Sequence, residues 1–220
     1  MGKEFNVRRN AETLHKLMLA LGYDQYVVQG GDMGFILARV LASLYPEHVK
    51  AHHINWIWAA KPAKYPDGTE PEPAYSEREQ KQMALAAQWD PFGYGDGRGY
   101  LVQMSTRPAT INFALRDSPV ALLAWIYDKL VDWSDSYPWT DDEVCLWVSI
   151  YYFARAGGAD AATYAYYEAL HGEVLVGLVQ SHINVPLGIA DFPVEISNSP
   201  VAWRDAMGPI VYVLADVGAE

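Results

Sequence analysis

The run Gly30-Gly31-Asp32-Met33-Gly34 sets one carboxylate at the apex of a sharp turn. An apolar stretch, Tyr26-Val27-Val28, leads in, and an apolar pattern of helical period, Leu37, Val40, Leu41 and Leu44, leads out. Glycines let the backbone turn tightly and pack closely. A side chain at such an apex stands at a helix N-terminus, where the dipole and the unpaired amides favour an ionised carboxylate. This is the pattern of a strand–turn–helix nucleophile elbow, with Asp where Ser is usual. An Asp nucleophile forms an alkyl ester with a carbon electrophile, which suits epoxides or alkyl halides. The same residues would also make an ordinary turn with Asp32 as helix cap. The strand pattern before and the long helix pattern after favour the elbow.

The elements around Asp32 follow from periodicity. Residues 10–22 read as a helix capped by Asn10, with Leu14, Leu17, Met18 and Leu21 as its apolar stripe and Gly22 as its end. A buried strand over 25–29, a helix over 33–44 and a strand over 49–57 give a β-α-β order, hence a parallel pair with a right-handed crossover. Residues 59–74 are a Pro-rich surface connector. From 75 to about 172 the pattern is helical: 76–89, then 117–133 capped by Asp117 or Ser118, then 140–157 with Thr140 as cap and Gly157 near the end, then 161–172. A short strand over 182–187, a helix over 199–206 with Pro200 at its first position and a strand over 210–215 follow. The expected fold is α/β with a partial, mainly parallel sheet and an inserted helical lid: core 1–60, lid 75–180, core return 181–220.

Composition narrows the partners. The chain has 220 residues, half of them hydrophobic, and Lys+Arg 16 against Asp+Glu 27 gives −11. That balance argues against nucleic acid or an anionic membrane as partner. No apolar run has the length of a membrane span, and the N-terminus does not read as a signal peptide. The single Cys145 fits a reducing, cytoplasmic compartment and reads as a small core residue. Eight Trp and fifteen Tyr point to an aromatic-lined pocket or a well-packed helical layer. With no HxxxH or Cys/His cluster, neither a metal nor a cofactor is expected.

In combination, GGDMG (30–34), YPEHVKAHHIN (45–55), GYLVQMSTRP (99–108), LRDSPVALLAWI (115–126), TYAYYE (163–168) and FPVE (192–195) make the chain resemble the microsomal-type epoxide hydrolases of the α/β-hydrolase superfamily, a branch common in fungi and bacteria. The resemblance covers nearly the whole chain. It implies that Asp32 is the nucleophile, that Tyr100 and Tyr166 are the lid tyrosines that hydrogen-bond and protonate the epoxide oxygen, and that Glu195 orients the catalytic histidine. The chemistry agrees, because a phenol of pKa about 10 can donate a proton without being ionised at neutral pH. Tyr164 and Tyr167 flank Tyr166, and only the motif register chooses among them; Asp191 is the alternative acid. The Met33 N–H would be an oxyanion donor. A small apolar epoxide and water are the implied partners, with a homodimer allowed and a role in detoxification or aromatic hydrocarbon catabolism.

The chain also departs from the family pattern. Met33 stands where the family usually has Trp. The HGxP loop expected upstream and the GGHF histidine expected downstream are not among the 220 residues, and no histidine follows Glu195. The expectation is therefore a chain truncated at both ends, with the strand before Asp32 left as an apolar open edge. His52 and His53 are expected early in their strand and His182 at the start of its own, toward the wrong end of the sheet, which leaves His171 as the candidate substitute base. A haloalkane dehalogenase shares the Asp nucleophile but needs halide donors rather than paired tyrosines. A degenerate paralogue that binds apolar ligands, or an inactive truncated product, is the non-enzymatic alternative.

Overall fold

The computed structural model describes residues 6–64, 68, 74–88, 97–154, 158, 161–171, 176–193, 195 and 198–215. They form two compact units, Met1–Gly95 with Glu173–Glu220, and Asp96–Gly172. The expected ends at Trp89, Gly157 and Gly172, and most of the Pro-rich connector, lie outside the described residues.

The first unit is α/β. Helix α1 (Val7–Ala20), strand β1 (Tyr26–Gly30), helix α2 (Met33–Leu44) and strand β2 (Val49–Ile54) follow the expected order. The chain returns through helices α3 (Glu77–Gln88) and α9 (Val176–Gln180), strand β3 (Leu187–Asp191), the short helix α10 (Val201–Arg204) and strand β4 (Ile210–Ala215). All pairings are parallel, in the order β1-β2-β3-β4, so the carboxyl ends of all four strands share one edge. β1 lies at one side of this sheet, and its Val27 is 65% exposed.

Several boundaries differ from expectation. α1 starts at Val7, because Asn6, not Asn10, accepts from the Arg9 amide at 3.1 Å. Its buried face is Val7, Ala11 and His15, while Leu14, Leu17 and Leu21 are exposed. β2 ends at Ile54, although Ile57 adds an isolated parallel bridge to Asn198. Residues 182–187 are not a strand. The ladder begins at Leu187, one residue after Pro186, which has no N–H to donate. The segment Leu187–Asp191 hides its strand character behind a Gly and an Asp, both disfavoured in strands, yet all five residues are buried. Pro200 is the N-cap of α10 rather than its first residue, and a 3-10 turn, Asp205–Met207, completes that segment. α3 falls within the unit Met1–Gly95 with Glu173–Glu220.

α2 is buried along Phe35, Ala38, Arg39, Val40, Leu41 and Ala42. A fully buried arginine needs compensation, and Arg39 finds it. Its Nε donates to Val179 O at 2.9 Å, its Nη2 to Ser181 O at 2.5 Å, and its Nη1 meets His52 Nε2 at 3.0 Å. The clasp ties α2 and β2 to the segment that re-enters the sheet. Because the guanidinium donates, His52 must accept at Nε2 and stay neutral. Burial, then the Arg39 charge, push the His52 imidazole down to about 4 from 6.5.

A histidine whose folded pKa is lowered makes the unfolded chain bind the extra proton first. Stability is therefore full above 6.5 and falls as pH drops toward about 4, by about 3 kcal/mol for this group. His52→Gln retains an acceptor for Arg39. We expect that variant to lose this share of the acid sensitivity when denaturant midpoints are compared at pH 7.5 and pH 5; an unchanged dependence would refute the assignment.

The second unit is all-helical: α4 (Gly99–Thr106), α5 (Pro108–Asp117), α6 (Pro119–Asp132), α7 (Asp141–Tyr152) and α8 (Ala161–His171). Ser118, not Asp117, caps α6 by accepting from Ala121 N at 3.2 Å. Thr140 and Glu143 close a reciprocal capping box on α7. Leu115, Leu122 and Val148 form a buried core flanked by Ile111, Trp125, Ile126 and Tyr152. Cys145 is exposed, contrary to its apolar sequence context, because it lies off the face of α7 that buries Val144 and Val148.

Candidate active site

Asp32 follows the carboxyl end of β1 and precedes α2. Its backbone has φ 49 and ψ −128, a conformation strained for a non-glycine residue and characteristic of stored strain at functional turns. The neighbours explain how the turn closes. A Cβ on Gly30 would lie 2.1 Å from the Gly34 carbonyl oxygen, so that position admits no larger residue. A Cβ on Gly31 would lie 2.1 Å from Asn55 Oδ1. Gly34, by contrast, has open space around it, and its amide donates to Gly31 O at 2.8 Å. Asn55 directly follows β2 at the same edge of the sheet. Its Oδ1 is a buried acceptor with no hydrogen-bond partner; Asn55 closes the 45–55 motif, but the sequence alone assigns it no role.

The Asp32 carboxyl is exposed at the apex, yet the protein crowded around it raises its pKa above the usual carboxylate range; the adjacent Met33 N–H pulls the other way. A weakly solvated carboxylate is the more reactive nucleophile, provided it is ionised.

Two strands along the same edge, Asp191 ends β3. It is buried, and its carboxylate takes Arg204 Nη2 at 2.7 Å, Asn198 Nδ2 at 2.8 Å, Gln82 Nε2 at 3.3 Å and Arg78 Nη2 at 3.3 Å. Asn198 also accepts from Ile57 N at 3.3 Å, and Ser199 N donates to Ile57 O at 2.9 Å. Asp191 is thus enclosed by partners and acts as the post on which the following loop is fixed. Glu195 stands in that loop, half-buried, between the two pinned ends. Sequence reading named Asp191 only as an alternative; its partners come from α3, the 198–199 turn and α10, which no local pattern connects.

In the helical unit, Tyr100 on α4 and Tyr166 on α8 meet edge to face, centroids 6.1 Å apart at 83°. Tyr100 also meets Trp133 at 5.2 Å, and the Lys129 ammonium lies 5.2 Å from both the Tyr100 and Trp125 ring centroids. Thr163 Oγ1 donates to Asn112 Oδ1 at 2.6 Å, which fixes the register of α8 against α5. Tyr164 and Tyr167 are exposed, and Tyr167 stacks on His171 at 4.1 Å. The pair that the motif register selects is the pair in contact.

The histidines lie elsewhere. His15 Nδ1 meets the Tyr26 hydroxyl at 2.7 Å and its ring stacks on Tyr45; His48 Nδ1 meets Asp24 O at 2.6 Å. His171 stacks on Tyr167, and His182 is exposed. His52 and His53 occupy the carboxyl half of β2, not its beginning, because the strand stops at Ile54; His52 is held by Arg39, and His53 covers Gly188.

No family model matches the chain. A Stigmatella aurantiaca protein provisionally named an epoxide hydrolase is 30% identical over 208 residues, 92% of this chain and 44% of that protein. The solved structure of Aspergillus niger epoxide hydrolase superposes with a TM-score of 0.80 at 29% identity, covering 99% of this chain and 52% of that one. The chain is a relative of the epoxide hydrolases. Rabbit (Oryctolagus cuniculus) epoxide hydrolase 1 is 27% identical over 91% of this chain and 48% of its own length. These relatives and the parallel sheet give the chain the α/β-hydrolase fold, of which it carries a part. It spans about half the length of the epoxide hydrolases it matches. No helix among the described residues is long and apolar enough to cross a membrane.

Proposed function

We propose that Asp32, Tyr100 and Tyr166 carry out the alkylation half of epoxide hydrolysis. The Asp32 carboxylate forms a bond to an epoxide carbon, the carbon–oxygen bond breaks, its electron pair goes to the oxygen, and a tyrosine phenol supplies the proton. The product is a hydroxyalkyl ester of Asp32, whose hydrolysis by an activated water would give a vicinal diol. The observation that carries this reading is the positive-φ conformation of Asp32 at the carboxyl edge of a parallel sheet. The edge-to-face tyrosines support the acid role, and Trp125 and Trp133 in their surroundings support an aryl epoxide. Glu195 is read as the acid that orients a base, and the Met33 N–H as an oxyanion donor. A single cysteine supports a reducing compartment, which we read as the cytoplasm.

Exposure of the 220-residue chain to styrene oxide tests this reading. Intact mass should show one rapidly formed adduct, absent in Asp32→Asn. The labelling rate should fall on acidification from a pH above the ordinary aspartate range, since only the carboxylate attacks. A rapid adduct whose rate is unchanged in Asp32→Asn would sink the assignment.

A further inference from the structure

Arg98, the residue before α4 and two before Tyr100, is only 2% exposed. Its Nε and Nη1 reach no hydrogen-bond acceptor, and among the described residues no carboxylate or aromatic ring pairs with its guanidinium. This is the opposite of Arg39 and Arg204, the other fully enclosed arginines, whose donors are met by carbonyls, a histidine and a carboxylate. A guanidinium taken out of water without a counter-charge is costly, and a bound anion would offset that cost.

Two further features of the same segment point the same way. Arg98 is the N-cap of an eight-residue helix and has no acceptor to offer the first-turn amides, so the helix dipole adds to its positive charge. Gly97 and Gly99 flank it, and neither position is crowded: a Cβ built on either meets nothing within 4 Å.

We propose that Arg98 is an anion-recognition residue and that the epoxides this chain takes include those bearing a carboxylate. A carboxylate matches the planar fork of a guanidinium with two parallel hydrogen bonds, whereas a neutral ester offers only weak single acceptors. The choice of epoxide rests on the reading of Asp32 and the tyrosines; the anion site does not. With a chain of net charge −11, an acidic substrate has no general electrostatic attraction to rely on, so a dedicated cation decides its binding.

Benzoate is the probe for the site alone, with benzamide as its neutral isostere and chloride at equal ionic strength as control. Benzoate should raise the thermal midpoint of the 220-residue chain saturably, and benzamide should not. Arg98→Gln should abolish the response and raise the midpoint without ligand, because it removes an uncompensated buried charge. Arg98→Lys, which keeps the charge but not the fork, should retain part of the response. No benzoate effect, an equal benzamide effect, a response that survives in Arg98→Gln, or a marked drop in that variant's own midpoint would each overturn the proposal.

The epoxide arm uses 4-(oxiran-2-yl)benzoate and its methyl ester. The ratio of Asp32 labelling rates, acid over ester, should be about ten or more and should fall toward one in Arg98→Gln. If benzoate binds through Arg98 but neither epoxide labels Asp32, the anion site stands and the alkylation reading fails. If both epoxides label Asp32 at a ratio that ignores Arg98, the alkylation reading stands and this proposal fails.

Discussion

Replacing either Tyr100 or Tyr166 by Phe is expected to slow alkylation of Asp32 by roughly 10²–10⁴-fold, the usual worth of a positioned general acid. The breaking carbon–oxygen bond leaves charge on oxygen, and the two rings, edge to face at 6.1 Å, are the donors that the proposal assigns to it. Each substitution removes one oxygen atom and leaves the ring, so packing against Trp133 and beneath Lys129 is retained. Tyr164→Phe and Tyr167→Phe serve as controls. Both residues are exposed, and Tyr167 is committed to His171, so rates within about two-fold of the parent are expected. Stopped time courses read by intact mass give all four rates. A severe loss in Tyr167→Phe with a normal Tyr166→Phe would shift the register by one residue and remove the pair from the mechanism.

The purified 220-residue chain should also accumulate the Asp32 ester rather than turn over. Hydrolysing that ester needs a base within hydrogen-bond reach of a water, and losing one costs about 10²–10⁴-fold. His15 and His48 bond the Tyr26 hydroxyl and the Asp24 carbonyl, His52 is locked neutral against Arg39, and His171 is stacked on Tyr167. His182 is exposed outside any strand. His53 packs over Gly188 and is the histidine nearest the carboxyl end of β2. Its position makes it, rather than His171, the first to test for residual hydrolysis. The expected result after mixing with excess styrene oxide is a single burst, stoichiometric with protein, and an adduct that persists for hours. Steady diol formation abolished by both Asp32→Asn and His53→Gln would contradict this and assign the base.

The parts of this account that rest on contiguous residues could be read from the sequence. The elbow is one such part, because the strand, two sterically required glycines and the following helix are adjacent in the chain. α2 begins and ends as its apolar period requires, and the Thr140 capping box announces α7. Features set by distant partners could not be read. β3 carries a Gly and an Asp that argue against a strand; it is one because β2 and β4 enclose it on both sides. The stripe of Leu14, Leu17 and Leu21 looked like the core face of α1, but the α/β unit takes Val7, Ala11 and His15 instead. Asp191 meets residues from 7 to 113 positions away, which no local pattern connects. The choice of Tyr166 over its neighbours rests on family resemblance, and Tyr166 is the one that meets the Tyr100 ring.

The measurement closest to the central claim is peptide mapping of the chain after brief exposure to styrene oxide. The protein offers the epoxide a competing nucleophile in the exposed thiol of Cys145, so the site of attachment discriminates between chemistry at the elbow and indiscriminate modification. The account predicts an ester-linked adduct on the peptide that contains Asp32, released by mild base, with Cys145 labelled only slowly and equally in Asp32→Asn. An adduct found first on Cys145, or spread over surface groups with the Asp32 peptide unmodified, would contradict it.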